Sequence, residues 1–340
     1  MEALLLLLVG TIALAAAFSG FEGMSDDEFD EGSSTDDTAT GILELTGPTV
    51  GTDGVTLEGS SISEILEGTE SDETLHGYGG DDVILGGGGH DEIYGGEGDD
   101  RFLDQSPNDV EDDGNDTIFG GSGNDVVADT FAPYGPTNDR GGDDTFYGGS
   151  GNDRFVDFAG SNFAFGGDGD DILSGLDSDV WEDSSGFSSS GPYATLFPST
   201  GDPGNVDSLF GEAGNDTLIG DAGDLLVGGD GFDTFKVEQH FGAITPTTIA
   251  DWESLGLSGA ESIEVQIWMD AATFQSFFPG VDPWSAEGVQ AEISLLKVNQ
   301  TVQVEALGQT VLTIQGIDDS TSLSELHSSI VIRCNAALYT

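Results

Sequence analysis

Between residues 68 and 236 one apolar residue recurs at every ninth position, set among glycine and acidic residues. The units GTESDETLH (68–76), GYGGDDVIL (77–85), GGGGHDEIY (86–94) and GGEGDDRFL (95–103) fix the frame, and further copies follow to GGDGFDTFK (228–236). The apolar position 8 holds Leu75, Ile84, Ile93, Phe102, Ile118, Val127, Phe146, Phe155, Leu173, Leu209, Leu218, Leu226 and Phe235, weakened once to Ala164. One inward side chain between glycine-rich turns predicts one short strand per unit. No unit buries enough by itself, so the copies must stack into one thin, continuous core. Segments 104–110, 129–138 and 175–201 interrupt the period and are expected to loop out.

On either side the patterning changes. Ala3–Phe18 is an apolar run broken only by Gly10 and Thr11, slightly short of the roughly 20 residues that cross a bilayer. Residues 1–21 read as a hydrophobic signal peptide, with Ala15–Ala17 as a cleavage region, or as a membrane anchor; a buried core helix is the alternative. The n-region carries Glu2 and no Lys or Arg, unlike an ordinary secretory signal. Residues 22–60 read as an acidic flexible linker, and the apolar pieces Ile42–Leu45, Val55–Leu57 and Ile62–Leu66 mark where folding begins. Beyond Lys236 the nonapeptide stops. Alternation predicts strands at Thr247–Trp252, Ser262–Trp268, Gln290–Val298, Thr301–Ala306, Gln309–Gln315 and Ser329–Arg333, with a short helix over Ala271–Phe278. The expected organisation is a stacked body over 61–236 and a β-rich region over 237–340 that caps its open, otherwise unpaired edge.

Charge narrows the partners. The chain has 65 Asp and Glu against 6 Lys and Arg, a formal balance of −59, and no Lys or Arg before Arg101. Nucleic acid is excluded as a direct partner, because neutralising phosphates needs clustered cations. A compact chain this acidic repels itself unless divalent cations or salt intervene. Cys334 is the single cysteine, so there is neither an intramolecular disulfide nor a CxxC motif. Within each unit, Gly at positions 1, 2 and 4 permits positive φ and close approach of neighbouring backbones. Position 6 sets an acidic residue beside that turn: Asp82, Asp91, Asp100, Asp116, Asp125, Asp144, Asp153, Asp171, Asp207, Asp216, Asp224 and Asp233. Glu73 and Asn162 occupy the same position in two degenerate units.

The pattern G-G-x-G-x-D-x-U-x, with U apolar, resembles the repeats-in-toxin, or hemolysin-type, calcium-binding nonapeptide. The resemblance covers 68–236, about half of the chain. It implies an all-β fold: a parallel β-roll with two nonapeptides per turn, followed by the β-rich C-terminal cap. It also implies several Ca²⁺ ions between stacked turns, held by the position-6 Asp residues and by backbone carbonyls near Gly77, Gly79, Gly86, Gly88, Gly95, Gly120, Gly148, Gly166, Gly211 and Gly228. Carboxylate and carbonyl oxygens without a Cys or His cluster select calcium over zinc or copper. Eighteen residues per turn set Asp82 against Asp100 and Asp153 against Asp171; Asp207/Asp224 and Asp216/Asp233 pair at 17 because unit 220–227 is one residue short. Asp91/Asp116 and Asp100/Asp125 become neighbours once 104–110 loops out. Weak or absent sites are expected at Glu73 and Asn162. Proteins with this repeat commonly leave the cell by type I export with an uncleaved C-terminal signal. The tail DDSTSLSELHSSIVIRCNAALYT suits that route, and the apolar N-terminus departs from it.

Catalytic signatures are missing: there is no HExxH and no G-x-S-x-G. His76 and His90 lie inside repeat units, and His240 and His327 in the C-terminal region; each reads as structural. The expectation is a secreted or surface-attached, extracellular calcium-binding roll without enzymatic activity, serving in structure or adhesion. Trp181, Phe187, Tyr193 and Phe197 in insert 175–201 are candidate contacts for a cell-surface or polysaccharide partner, although folding back onto the roll is the simpler reading. The alternative is a secreted hydrolase with its catalytic site in 237–340 and the roll as a secretion and folding module.

Overall fold

A computed structural model of the chain describes residues 41–44, 54–69, 71–103, 114–128, 142–157, 160–176, 206–242, 245–252, 261–269, 271–282, 288–317 and 322–336. The apolar segment 1–21, most of the linker, the inserts 104–110 and 129–138, nearly all of 175–201 and the last four residues lie outside the described residues.

Alternate units feed alternate sheets. One sheet stacks Val55–Ser60, Glu73–Gly79, Glu92–Glu97, Thr117–Ser122, Thr145–Ser150, Phe163–Asp168, Ser208–Ala213, Leu225–Asp230, Thr247–Ile249 and Gln309–Ile314 in parallel. The other stacks Gly41–Glu44, Glu64–Glu67, Val83–Leu85, Arg101–Leu103, Val126–Ala128, Arg154–Val156, Ile172–Gly175, Thr217–Gly220, Thr234–His240, Ser262–Met269 and Ile330–Ala336. The chain is a parallel β-roll, all-β apart from two short helices among the described residues.

Register is kept residue for residue. Phe146 pairs with Ile118 on one side and Ala164 on the other. The intervening sequence does not shift it: Ile93 pairs with Ile118, Phe102 with Val127 and Ala164 with Leu209. The short unit 220–227 is absorbed as well, since Leu209 still pairs with Leu226. A one-residue slip would turn every position-8 side chain outward, which is why the period is kept at the strands and relaxed only between them.

The core is two facing columns of position-8 side chains, nearly all fully buried, with Phe146 and Phe155 stacked across it at 5.6 Å. In the first sheet positions 7 and 9 are on the partly exposed outer face, whereas Leu103, Val156, Ser174 and Ile219 at position 9 of the second sheet are buried. Position 9 differs between the sheets. In the first sheet it forms a ladder of rings, His76, Tyr94, Phe119, Tyr147, Phe165 and Phe210, with consecutive centroids 4.7–5.0 Å apart. In the second sheet the same position carries Leu85, Leu103, Val156, Ser174 and Ile219.

The stack extends past both ends of the repeat. Upstream, Leu66 pairs with Ile84 and Leu57 with Leu75. Downstream, Leu226 is followed by Ile249 and Ile314, and Phe235 by Ile263 and Ile330, all buried. The C-terminal strands therefore continue both sheets, and only the last members run antiparallel. Thr301–Ala306 and Ile293–Val298 finish one sheet, and Val289–Gln290 the other. Leu307-Gly308 joins the hairpin with both φ values positive, 53° and 81°, as a two-residue I′ turn requires.

The helix Ala271–Phe277 buries Phe274 in the core. A second helix, Leu323–Ser329, which the sequence pattern does not signal, is N-capped by Ser322 and buries Leu326. Among the described residues no helix is long and apolar enough to cross a membrane.

Candidate metal centre

Each turn between strands runs from position 1 to position 6, and its chemistry is set by close stacking on the next turn. Gly96 at position 2 and Gly98 at position 4 take φ of 119° and 132°, a region costly for a residue with a Cβ. Position 1 is glycine for another reason. A Cβ on Gly95 would stand 2.3 Å from Asp100 Oδ2 and 2.7 Å from the Gly120 carbonyl oxygen. Gly120 (Asp125 Oδ2, 2.4 Å; Gly148 O, 2.6 Å), Gly148 (Asp153 Oδ2, 2.3 Å; Gly166 O, 2.4 Å) and Gly211 (Asp216 Oδ2, 2.2 Å; Gly228 O, 2.5 Å) repeat the arrangement. Each of these four glycines thus leaves open a cradle where a carboxylate oxygen and a carbonyl of the following turn converge.

The carboxylates form two ladders, one on each edge of the roll. On the first edge, the backbone N–H of Glu64 donates to Asp82 Oδ1, Asp82 to Asp100, Asp100 to Asp125, Asp125 to Asp153, Asp153 to Asp171, Asp171 to Asp216 and Asp216 to Asp233, all at 2.7–2.9 Å. On the second edge the order is Glu73, Asp91, Asp116, Asp144, Asn162, Asp207 and Asp224, at 2.6–2.9 Å. All the pairs expected from the 18-residue turn are neighbours. Ladders from 82 to 233 place each of the twelve Asp residues, none more than 5% exposed, at the same point of its turn.

One oxygen of each carboxylate is therefore used by the backbone. The other has no hydrogen-bond donor at Asp82, Asp91, Asp100, Asp125, Asp153, Asp171, Asp216 and Asp233, although it is buried. A buried carboxylate oxygen without a donor is costly, and burial lifts these carboxyls out of the usual carboxylate range. Asp125 rises to about 8, Asp82, Asp91, Asp171 and Asp216 to about 7, and Asp100 and Asp153 to about 6. The accepted N–H bond opposes the rise, and neighbouring acidic groups add to it. Burial raises Asp224 and Asp233 in the same direction.

Two acidic residues instead turn back on their own turn. Glu73 accepts from the Thr69 N–H (2.9 Å) and from the Thr69 hydroxyl, and Asp224 Oδ2 accepts from the Asp221 N–H at 2.7 Å. Among the expected carbonyls, those of Gly77, Gly86, Gly95, Gly120, Gly148, Gly166 and Gly228 stand within 3 Å of a position-1 cradle. Gly79 and Gly88 occupy position 3, and Gly211 opens the cradle before Asp216.

A further row, at position 5, runs in the opposite sense and escapes a motif centred on position 6. The N–H of Asp99 donates to Asp81 Oδ1, Asn124 to Asp99, Asn152 to Asn124 and Asp170 to Asn152, each toward the preceding turn. A matching position-5 row on the other edge includes His90, whose N–H donates to Asp72 Oδ1 (2.8 Å) and whose Nδ1 accepts from the Asn115 N–H (2.7 Å). The recurring Asn or Asp one residue before the position-6 Asp was the available signal.

Among the described residues, no three acidic, His or Cys side chains converge on one point. A cation at these turns would thus meet one or two carboxylates and a majority of backbone carbonyls, a hard-oxygen set suited to calcium and unsuited to zinc. The unpartnered Oδ2 atoms and the open glycine cradles fit such an ion.

Residues 67–102, 112–128, 139–155, 156–179 and 204–235 match a family model described as the RTX calcium-binding nonapeptide repeat. No curated protein matches the chain in sequence. Among solved structures, the chain is similar to a crystal structure of the extracellular lipase LipA from Serratia marcescens, at 17% identity and a TM-score of 0.20. That match covers 85% of this chain and 42% of the lipase, so the chain spans less than half of the lipase's length.

Proposed function

Starting from a chain whose roll carries the RTX calcium-binding nonapeptide repeat and binds Ca²⁺ at multiple sites, we propose that it is a secreted or surface-attached module that folds on meeting extracellular calcium. Its role is structural or adhesive. The ligands are the position-6 carboxylates Asp82, Asp91, Asp100, Asp116, Asp125, Asp144, Asp153, Asp171, Asp207, Asp216 and Asp233, with carbonyls of the glycine turns; Asp224, whose two oxygens accept from the Asp207 and Asp221 N–H groups, is left out of the set.

The observation that supports this reading is the row of buried Oδ2 atoms with no protein donor, repeated turn after turn. Without an ion each such oxygen is unpaired and faces like-charged neighbours one turn away, while the glycine-rich turns lose much conformational entropy on ordering. Within the repeats the inner core offers only one position-8 side chain per strand to offset both. A divalent cation in the cradle supplies the missing partner, so that binding free energy becomes folding free energy. Extracellular calcium modules work near 10⁻⁴–10⁻³ M, and ions that bridge adjacent turns bind cooperatively.

The test is circular dichroism of the purified full chain in chelator at low salt, then during a calcium titration. The expected result is a β signature that appears cooperatively at roughly 10⁻⁴–10⁻³ M calcium and is not produced by magnesium, whose small octahedral shell suits a carbonyl cage poorly. A β signature complete in chelator and unchanged by millimolar calcium refutes the proposal.

A further inference from the structure

We propose that the cation ladder begins one unit before the recognisable repeat, at Glu64, which with the carbonyls of His76 and Gly77 forms a further calcium site. The inference rests on the calcium reading above, but concerns a turn that neither the nonapeptide pattern nor the family match includes, since the match starts at residue 67. Unit 59–67, GSSISEILE, retains only Gly59 at position 1 and Leu66 at position 8, and has glutamate where the other members of its ladder have aspartate.

Its geometry is nevertheless that of a cradle. A Cβ on Gly59 would stand 2.8 Å from Gly77 O, 2.9 Å from His76 O and 3.0 Å from Glu64 Oε2. One turn along, the equivalent point at Gly77 lies 2.4 Å from Asp82 Oδ2 and 2.6 Å from Gly95 O. Glu64 is only 6% exposed. Its N–H donates to Asp82 Oδ1 at 2.8 Å, so it occupies the ladder position in full. Its Oε1 accepts from the Ser60 hydroxyl at 3.0 Å, and this contact fixes the extra methylene. Its Oε2 is buried and has no donor.

Glu73, at the start of the other ladder, shows what a glutamate without an ion looks like. There Thr69, also four residues earlier, supplies its backbone N–H to Oε2 and its hydroxyl to Oε1, so both oxygens are filled by protein. Ser60 fills only one oxygen of Glu64. The two edges of the roll thus start differently: one on a self-satisfied turn, the other on an open acceptor for a hard cation.

The experiment uses the full chain as Glu64→Gln, Glu64→Asp and Glu73→Gln, with calcium counted by competition against a chromophoric chelator and amide exchange followed with and without calcium. Glu64→Gln should bind one ion fewer than wild type, and the amides of 59–64 should exchange in calcium as fast as in chelator. Glu64→Asp, which restores the ladder's usual residue, should keep the ion, and Glu73→Gln should leave the count unchanged. An unchanged count and unchanged protection in Glu64→Gln overturn the proposal, as does loss of the ion in Glu73→Gln. Turns 95–100 and 120–125 separate the two levels. If their protection does not depend on calcium in wild type, the calcium reading itself fails; if it does and 59–64 is indifferent, only the Glu64 site fails.

Discussion

Replacing Asp125 by asparagine should change stability in opposite directions with and without calcium. Asp125 lies in the middle of its ladder: Oδ1 accepts from the Asp100 N–H at 2.8 Å, while Oδ2 is buried without a donor. An amide keeps the Oδ1 acceptor and substitutes an NH₂ for the unpaired, charge-bearing oxygen. Without ions, that removes a carboxylate whose pKa burial lifts from 3.8 to about 8. At about 1.4 kcal/mol per unit the displacement caps the cost of the charge at roughly 6 kcal/mol, and discounting for water entering an ion-free turn leaves about 2 kcal/mol. With calcium, the same substitution deletes an anionic ligand beside the Gly148 carbonyl, and a loss of about 1.4 kcal/mol there raises the calcium midpoint roughly tenfold. The assay is circular dichroism of Asp125→Asn and wild type, first in chelator as a function of pH and then in a calcium titration at pH 7.5. The variant should order at higher pH than wild type in chelator and need more calcium. A variant that is less ordered in chelator, or that keeps the wild-type midpoint, refutes the assignment of Asp125 Oδ2 to a cation.

Acid should order the ion-free roll. Burial raises Asp100 and Asp153 to about 6, Asp82, Asp91, Asp171 and Asp216 to about 7 and Asp125 to about 8 in the folded chain, against 3.8 when freely solvated, so the fold binds more protons across that window, and its stability falls as pH rises through it. Circular dichroism in chelator from pH 8 down to pH 4.5 should gain β signal, and a steady loss contradicts the sign. Phe155→Ala empties a fully buried position stacked on Phe146 and should lower stability in saturating calcium by about 3–5 kcal/mol in urea unfolding; a cost below about 1 kcal/mol means the column is not continuous. Asp153→Ala should lose bound calcium. Asn162→Ala, which removes the acceptor of the Asp144 N–H, should cost about 1 kcal/mol and keep the ion count, with equal counts for the two variants as the adverse result.

Position 8 and position 6 were legible because each is a side chain doing one job at a fixed phase. Apolar residues there have nowhere else to go, and an acidic residue beside glycines marks the turn. The 18-residue spacing followed from the same phase, so Asp153 and Asp171 could be paired from sequence. The upstream turn was harder to read, because Ser60, Ser61 and Glu64 retain none of the motif's side chains apart from Gly59, while backbone register places Leu66 under Ile84. Most C-terminal strands were visible individually from alternation, but Gln290–Val298, read as one strand, is two: Val289–Gln290 ends one sheet and Ile293–Val298 the other. Membership of the C-terminal strands in the same two sheets is carried by pairings such as Phe235 with Ile263 and Ile263 with Ile330, across connections with no common sequence. The ring ladder was hidden because position 9 is aromatic only in every second unit, and a search at period nine averages it with Leu85, Leu103 and Val156.

That alternation defines how such a gene can grow. A tandem duplication of nine codons would move every later strand to the opposite sheet, so that the rings after it no longer stack on the rings before it and their column is split in two. A duplication of eighteen codons, the separation of Asp153 from Asp171, adds one complete layer, about 4.8 Å of rod, and leaves every downstream neighbour as it was. Selection therefore acts on the pair of units as a single heritable block. The register across the inserts shows the complementary freedom: between layers the chain accepts sequence of unequal lengths without losing count.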